Sequence, residues 1–306
     1  MNTLKASKWV RNALGATWII DGLLQLQPYM FTKSFALETL ASTASNQPFI
    51  ISDPIQYVAK TIAPHIVIWN TLFALIQLGI GIGILVPRLT KIALAVSFLW
   101  VLGVWWFGEG LGQIISGGST LLSGAPGAVV IYGLIGLLVW PTNKQKGESV
   151  ASISPTGVVG GKIIWASLWC VDGVLQLLPS NLSKNALSGV FSSASSGEHY
   201  LIAHVNNFFA NLMSGHGMPI GLVLGILQIA VGIGVFAKSY NTALYFGSLL
   251  SLFFWVIAQD FGGILTGQGT DPNSGPLLVI LALAIYNMNA VPRFFFHARS
   301  LRRNKI

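Results

Sequence analysis

The chain has 306 residues, of which 53% are hydrophobic and only 8% charged, with a net charge of +8 and a mean hydropathy of +0.68. A soluble domain carries about 25% charged residues, so this composition excludes a water-facing globular surface and assigns the chain to a membrane. The single cysteine, Cys170, sits in an apolar run; it excludes a disulfide framework and a thiolate metal site and reads as a small packing residue.

The apolar runs are helix-length for a bilayer core, and strand signals are weak. The first run, about 9–31, contains WIIDGLLQLQP with Asp21 in its middle. It lacks a small-residue cleavage site after it and reads as a retained helix rather than a signal peptide. A more polar stretch, 32–64, reads as a loop holding a surface helix. Runs two, three and four follow at about 65–86, 89–115 and 126–141. The segment 142–157, TNKQKGESVASISPTG, is a polar connecting loop. Four further runs follow at about 162–179, 217–237, 241–266 and 275–292, with the polar stretch 180–215 after the first of them.

The second four repeat the first. A constant displacement of 151 residues carries Trp18, Asp21, Gly22, Gln25 and Pro28 onto Trp169, Asp172, Gly173, Gln176 and Pro179. It carries His65 onto His216, Gln77 onto Gln228, Glu109 onto Asp260 and Pro141 onto Pro292. The expected architecture is therefore all-α and integral to the membrane: eight transmembrane helices as two four-helix repeats, 1–146 and 162–306, joined by a cytoplasmic linker at 147–161. Of the 17 Lys and Arg, only Lys33, Lys60 and Lys184 fall on one side of such a layout. The positive-inside rule then places both termini in the cytoplasm, and an even helix number sets the repeats the same way up, as a parallel repeat. Orientation and anionic lipid heads account for the positive charge without any nucleic acid.

Depth follows from the rise of 1.5 Å per residue. Asp21 lies roughly 15 Å below the outer end of its helix, near the midplane, and Gln77 at a similar level. Gln25 is one turn outward on the face of Asp21. His65 and Glu109 form an outer level. The second repeat offers Asp172, Gln176 and Gln228 in the middle and His216 and Asp260 outside. A carboxylate at the bilayer centre costs about 2.5–3.5 kcal/mol, so Asp21 and Asp172 are expected to face the bundle interior and find partners, with Gln77 and Gln228 nearest in depth, or to remain neutral. The expectation is an outward-facing polar pocket in each repeat for a proton, a cation or a polar head; the alternative is hydrogen bonding that only fixes packing. No two of these groups have a tight i, i+4 ligand spacing, and no metal is assigned. GIGIG at 79–83 lies inside a membrane helix and reads as close helix packing. GEGLGQIISGG at 108–118 is a glycine-rich exit that reads as a pocket mouth or a re-entrant segment.

RNALGATWIIDGLLQL at 11–26 resembles the first helix of DoxX-like membrane proteins, and FALIQLGIGIGILVPRLTKIALA at 73–95 resembles their second and third helices across a short basic turn. Gln77 stands where many members carry an acid. The resemblance implies a four-helix bundle unit, here two units fused, in the plasma membrane of a prokaryotic cell. It also implies an association with quinone-linked redox chemistry and with other respiratory or redox subunits of the membrane, the DoxD relatives being tied to thiosulfate oxidation with quinone as acceptor. Two other functions fit the residues: a proton- or cation-coupled transporter or channel, and a non-catalytic structural subunit of a membrane complex.

Overall fold

The computed structural model describes residues 3–141, 157–195 and 198–289, and there it is helical without strands. Residues 142–156 of the connecting segment, with Lys144 and Lys146, the repeat partner Pro292 and the basic residues Arg293, Arg299, Arg302, Arg303 and Lys305 lie outside the described residues; 157–161, expected as the end of the linker, already belong to the helix Gly157–Gln176.

The α-helices in chain order are α1 (Thr3–Leu24), α2 (Phe49–Ile62), α3 (Ile66–Leu85), α4 (Thr90–Phe107), α5 (Ala128–Leu138), α6 (Gly157–Gln176), α7 (Ala186–Ala194), α8 (Tyr200–Met213), α9 (Gly217–Gly234), α10 (Tyr240–Ile257) and α11 (Ser274–Asn289). α1 stops short of the expected 31 because Pro28, without an N–H to continue the ladder, opens a separate 3-10 turn, Pro28–Phe31. The polar stretch 32–64 holds a π-helical turn, Phe35–Leu40, and α2; 180–215 holds α7 and α8.

Among the described residues five segments are long and apolar enough to cross a membrane: Phe49–Leu85, which takes in α2 and α3, Thr90–Phe107, Gly157–Gln176, Gly217–Gly234 and Tyr240–Thr266. Between 28% and 44% of each most apolar window is buried. Helices this apolar on their outward faces need a lipid environment rather than water. Leu99 on α4, 73% exposed, and Leu249 on α10, 66% exposed, belong to such faces. The protein is a membrane protein.

The tightest helix pairs are α1 with α3 and α6 with α9. Glycine makes this approach possible: a Cβ on Gly81 would fall 2.7 Å from the Gly15 carbonyl oxygen, and one on Gly173 would fall 2.8 Å from that of Gly225. α4 packs on α5 and α10 on α11, while α11 also meets α1, α5 and α6. One core runs through this junction, with Leu14, Ile131, Ile135, Trp165, Trp169, Leu281 and Ile285 fully buried. Polar ties cross it as well: Gln27 Nε2 donates to the Gly269 carbonyl at 3.0 Å, and Gln259 Nε2 to that of Leu121 at 2.8 Å.

Candidate functional site

Asp21 is buried in the last turns of α1. The Tyr132 hydroxyl on α5 donates to its Oδ1 at 2.8 Å. The Trp18 ring, one turn back on α1, packs 4.7 Å from the Tyr132 ring. Its indole N–H is buried without a partner. The expected neighbour in depth, Gln77, is not the hydrogen-bond partner. It shares with Asp21 a small cavity of about 40 Å³, also lined by Val129, Tyr132, Thr270 and Asp271. Depth gave the level of Gln77 correctly as that of Asp21, but the partner is chosen by which helix face turns inward.

Gln25, also buried, donates from Nε2 to Asn70 Oδ1 at 2.6 Å, and Asn70 Nδ2 returns a bond to the Gln25 carbonyl at 2.8 Å. This pair locks the end of α1 to α3. Gln25 and Gln77 also line a second cavity of about 410 Å³, whose other walls are almost wholly apolar and aromatic. Trp69 and Phe73 stand 6.4 Å apart, and Phe73 and Trp100 5.6 Å, ring to ring. Among its lining residues, Trp100 has a buried indole N–H and Gln77 a buried Oε1, and neither atom has a partner.

Glu109 follows the end of α4. Its Oε1 accepts the Val129 N–H at 3.0 Å, while Oε2 is buried and unpartnered. That oxygen packs against Gly127, where a Cβ would collide with it. Burial, and next the charge of Asp271, push the Glu109 carboxyl up to about 8; the N–H groups of Val129 and Ala128 oppose the shift. Asp271 is raised as well, by burial, against hydrogen bonds from the Asn273 N–H and the Thr270 hydroxyl. Both acids line a third cavity, of about 460 Å³, with Gln113, Ser116, Ser119 and Asn273 among its walls. The glycine-rich exit thus forms part of a cavity wall. Its backbone is strained there: Leu111 and Gln113 hold positive φ of 55° and 56°, a conformation that non-glycine residues adopt only when their surroundings impose it. Gln113 is held by a 2.6 Å bond from its Nε2 to the Thr43 carbonyl.

The three cavities share residues. Asp271 lines both the polar cavity at Glu109 and the small one at Asp21, and Gln77 lines both the small one and the aromatic one. Glu109, Asp271, Asp21 with Tyr132, and Gln77 therefore line a series of neighbouring cavities that ends at the aromatic chamber.

In the second half the same residue types are buried differently. Asp172, Gln176 and Gln228 are at most 1% exposed. Asp172 Oδ1 and both side-chain polar atoms of Gln176 and of Gln228 have no hydrogen-bond partner. The reason is readable by position. Leu283 stands 151 residues after Tyr132, and Gly221 after Asn70. Asp260, the counterpart of Glu109, accepts instead from Asn206 Nδ2.

The histidines do not join the acids. His65 and His216 are exposed N-cap residues of α3 and α9, and neither lines the cavities around Asp21 or Glu109. A residue at a helix start can turn its side chain away from the bundle interior, and both histidines are exposed. Among the described residues no three His, Cys, Asp or Glu come together as a metal site. Tyr132, Asn70, Trp100 and Asp271 escaped the sequence reading. The repeat could not flag them, since they align with Leu283, Gly221, Ser251 and Thr120. No family model matches the chain, and neither do curated proteins or solved structures.

Proposed function

We propose that the protein is a polytopic membrane subunit that binds a quinone in the aromatic chamber of its first half and exchanges the associated protons with the outer face. The observation that carries this reading is the sharing of residues between cavities, which joins an apolar aromatic chamber to two acids through Asp21 and Gln77. The resemblance to DoxX-like proteins stands beside it. The proposal includes eight transmembrane helices in two parallel repeats with both termini cytoplasmic. In support, the bounds of α1, α3 and α4, displaced by 151 residues, fall within three residues of those of α6, α9 and α10.

The chamber fits the chemistry of a quinone. Its volume of about 410 Å³ lies in the range of small-molecule sites, about 300–1,000 Å³. Trp69, Phe73 and Trp100 would hold a flat ring. The unpartnered Trp100 indole N–H and the Gln77 side-chain amide are the groups that would meet its carbonyl oxygens. Bound there, a quinone supplies reversible two-electron, two-proton redox chemistry, with electrons exchanged with a redox partner in the membrane. The chain's own residues bind, exclude water and hold protons at carboxyl and phenol oxygens. Glu109 and Asp271 hold them at the outer cavity, and Asp21 with Tyr132 next to Gln77.

Saturable binding of a short-chain benzoquinone to the purified protein tests the reading. Trp100→Phe and Gln77→Leu should each weaken binding about tenfold, the loss of a hydrogen bond to a buried polar group. Wild-type protein that carries no extractable quinone and binds none would refute it.

The same acids also suit a proton-coupled carrier. Beyond Asp21, toward the start of α1, the core is closed by Leu14, Ile84, Leu94 and Leu138, all fully buried. A carrier would have to open that layer. Proteoliposome flux abolished by Asp21→Asn would favour the carrier over the quinone site.

A further inference from the structure

α3 and α4 leave a groove between them on the lipid-facing side, of about 310 Å³. Its walls are apolar throughout and include Leu75, Gly79, Leu89, Ile92 and Val96. Leu75, Leu89, Ile92 and Val96 are themselves exposed, so the groove opens outward. Its floor is hollow at Gly79, where a Cβ would meet no atom within 4 Å. Both helices are membrane-capable, so the short turn joining them lies at a membrane surface. That turn carries Arg88, with Lys91 on the first turn of α4, and both are exposed. The Lys91 ammonium stands 5.9 Å from the Trp140 ring centroid. No acid occurs between Asp53 and Glu109, so neither α3 nor α4 supplies an anion to balance this pair.

We propose that this groove is a binding site for an anionic phospholipid, with one acyl chain between α3 and α4 and the phosphate against Arg88 and Lys91. Apolar shape alone would accept any acyl chain, because neighbouring lipid is equally apolar. The two cations at its end, with no acid on α3 or α4 to balance them, select the headgroup. The groove spans Leu75 to Gly83 on α3, roughly 12 Å at 1.5 Å per residue, which accommodates most of one leaflet's worth of hydrocarbon, about 15 Å. The second half departs at the deciding positions: Ala230, Ser239 and Thr242 stand for Gly79, Arg88 and Lys91. The site belongs to the first half, and it does not depend on the quinone reading.

Native mass spectrometry of the detergent-purified protein, with equal phosphatidylglycerol and phosphatidylcholine added, tests it. The wild type should retain phosphatidylglycerol preferentially. Arg88→Gln with Lys91→Gln should reduce that preference about thirtyfold, since each cation near a lipid surface is worth about 1 kcal/mol and each 1.4 kcal/mol is tenfold. Gly79→Leu fills the floor and leaves the cations, and should reduce retention of both lipids. These substitutions lie at the lipid-facing surface, and a melting curve in the same detergent reports whether each variant folds. Equal retention of the two lipids by the wild type, or no effect of Gly79→Leu in a folded variant, would overturn the proposal. So would a disulfide between two copies carrying Gly79→Cys with lipid retention unchanged by the charge variant, because a second copy would then occupy the groove.

Discussion

The two halves of the molecule bury the same aspartate and glutamines at matching positions and treat the aspartate and the first glutamine in opposite ways. In the first half Asp21 accepts from Tyr132, and Gln25 pairs with Asn70. In the second, Asp172 Oδ1 and the side chains of Gln176 and Gln228 have no partners. Around the glutamines, Trp69, Phe73, Trp100 and Phe107 of the first half become Ile220, Leu224, Ser251 and Ala258 in the second. A shared polar set is therefore not a shared site. What makes a site of it is the ring of partners, and these are the residues that differ.

The comparison breaks most visibly in function. Asp21→Asn keeps an oxygen for the Tyr132 hydroxyl but cannot ionise. If the proposed quinone site operates, proton-linked turnover should fall about a hundredfold, the scale of a lost acid–base group, whereas Asp172→Asn should leave it within about twofold. Equal losses in both variants would mean that the second half carries a working site of its own.

Stability separates the halves next. Asp21→Leu removes the carboxylate oxygen that accepts from the buried Tyr132 hydroxyl, which costs about 1–3 kcal/mol. Asp172→Leu removes a buried acid whose Oδ1 bonds to nothing, and it should be neutral or stabilising by the logic of buried charges replaced by apolar groups. Denaturation of both variants in one detergent reads the difference directly.

A further effect should run in both directions at the glutamine on the first helix of each half. Asn70→Gly removes two hydrogen bonds and should destabilise by about 2 kcal/mol, roughly 1 kcal/mol for each. Gly221→Asn should recover part of that in the second half, because a Cβ at 221 would stand 3.4 Å from Gln176 Nε2. The neighbouring Leu182 side chain, 3.0 Å from the same point, has to give way slightly. A double variant that restores the pair without any gain would show that the second half is spaced differently at this level.

The last comparison is a pH dependence. Glu109 holds its proton up to about 8 when folded, against 4.5 as its ordinary value. The folded state therefore binds more protons than the unfolded state between these values, and stability falls as pH rises across that window. Below about 4.5 the contribution is complete, and above about 8 it is lost. Glu109→Gln should flatten this part of the melting-temperature profile, measured from pH 4 to pH 9. An unchanged slope would assign it to Asp271 or to other groups.

Much of the first half's site was legible before the fold. Asp21, Gln25, Gln77 and Glu109 were found because each recurs 151 residues later, as itself or as another acid. The same criterion hid Tyr132, Asn70, Trp100 and Asp271, which do not recur. Asp271 was hidden twice over: it comes from the second half, on the loop after α10, and lines cavities of the first. His65 and His216 were drawn in by depth, which fixes the height of a residue along a helix but not the direction of its side chain.

The sequence by itself determined a membrane protein and located its main helices, though not their ends, because hydropathy and helix rise are local and a bilayer sets the length of what crosses it. It also determined that two halves carry one polar pattern. Only the tertiary structure decided which half completes that pattern. Partnering a buried acid takes a hydroxyl from a helix more than a hundred residues away, and joining the cavities takes a carboxylate from the other half. Both depend on which helix faces meet across the interior, and no run of neighbouring residues records that.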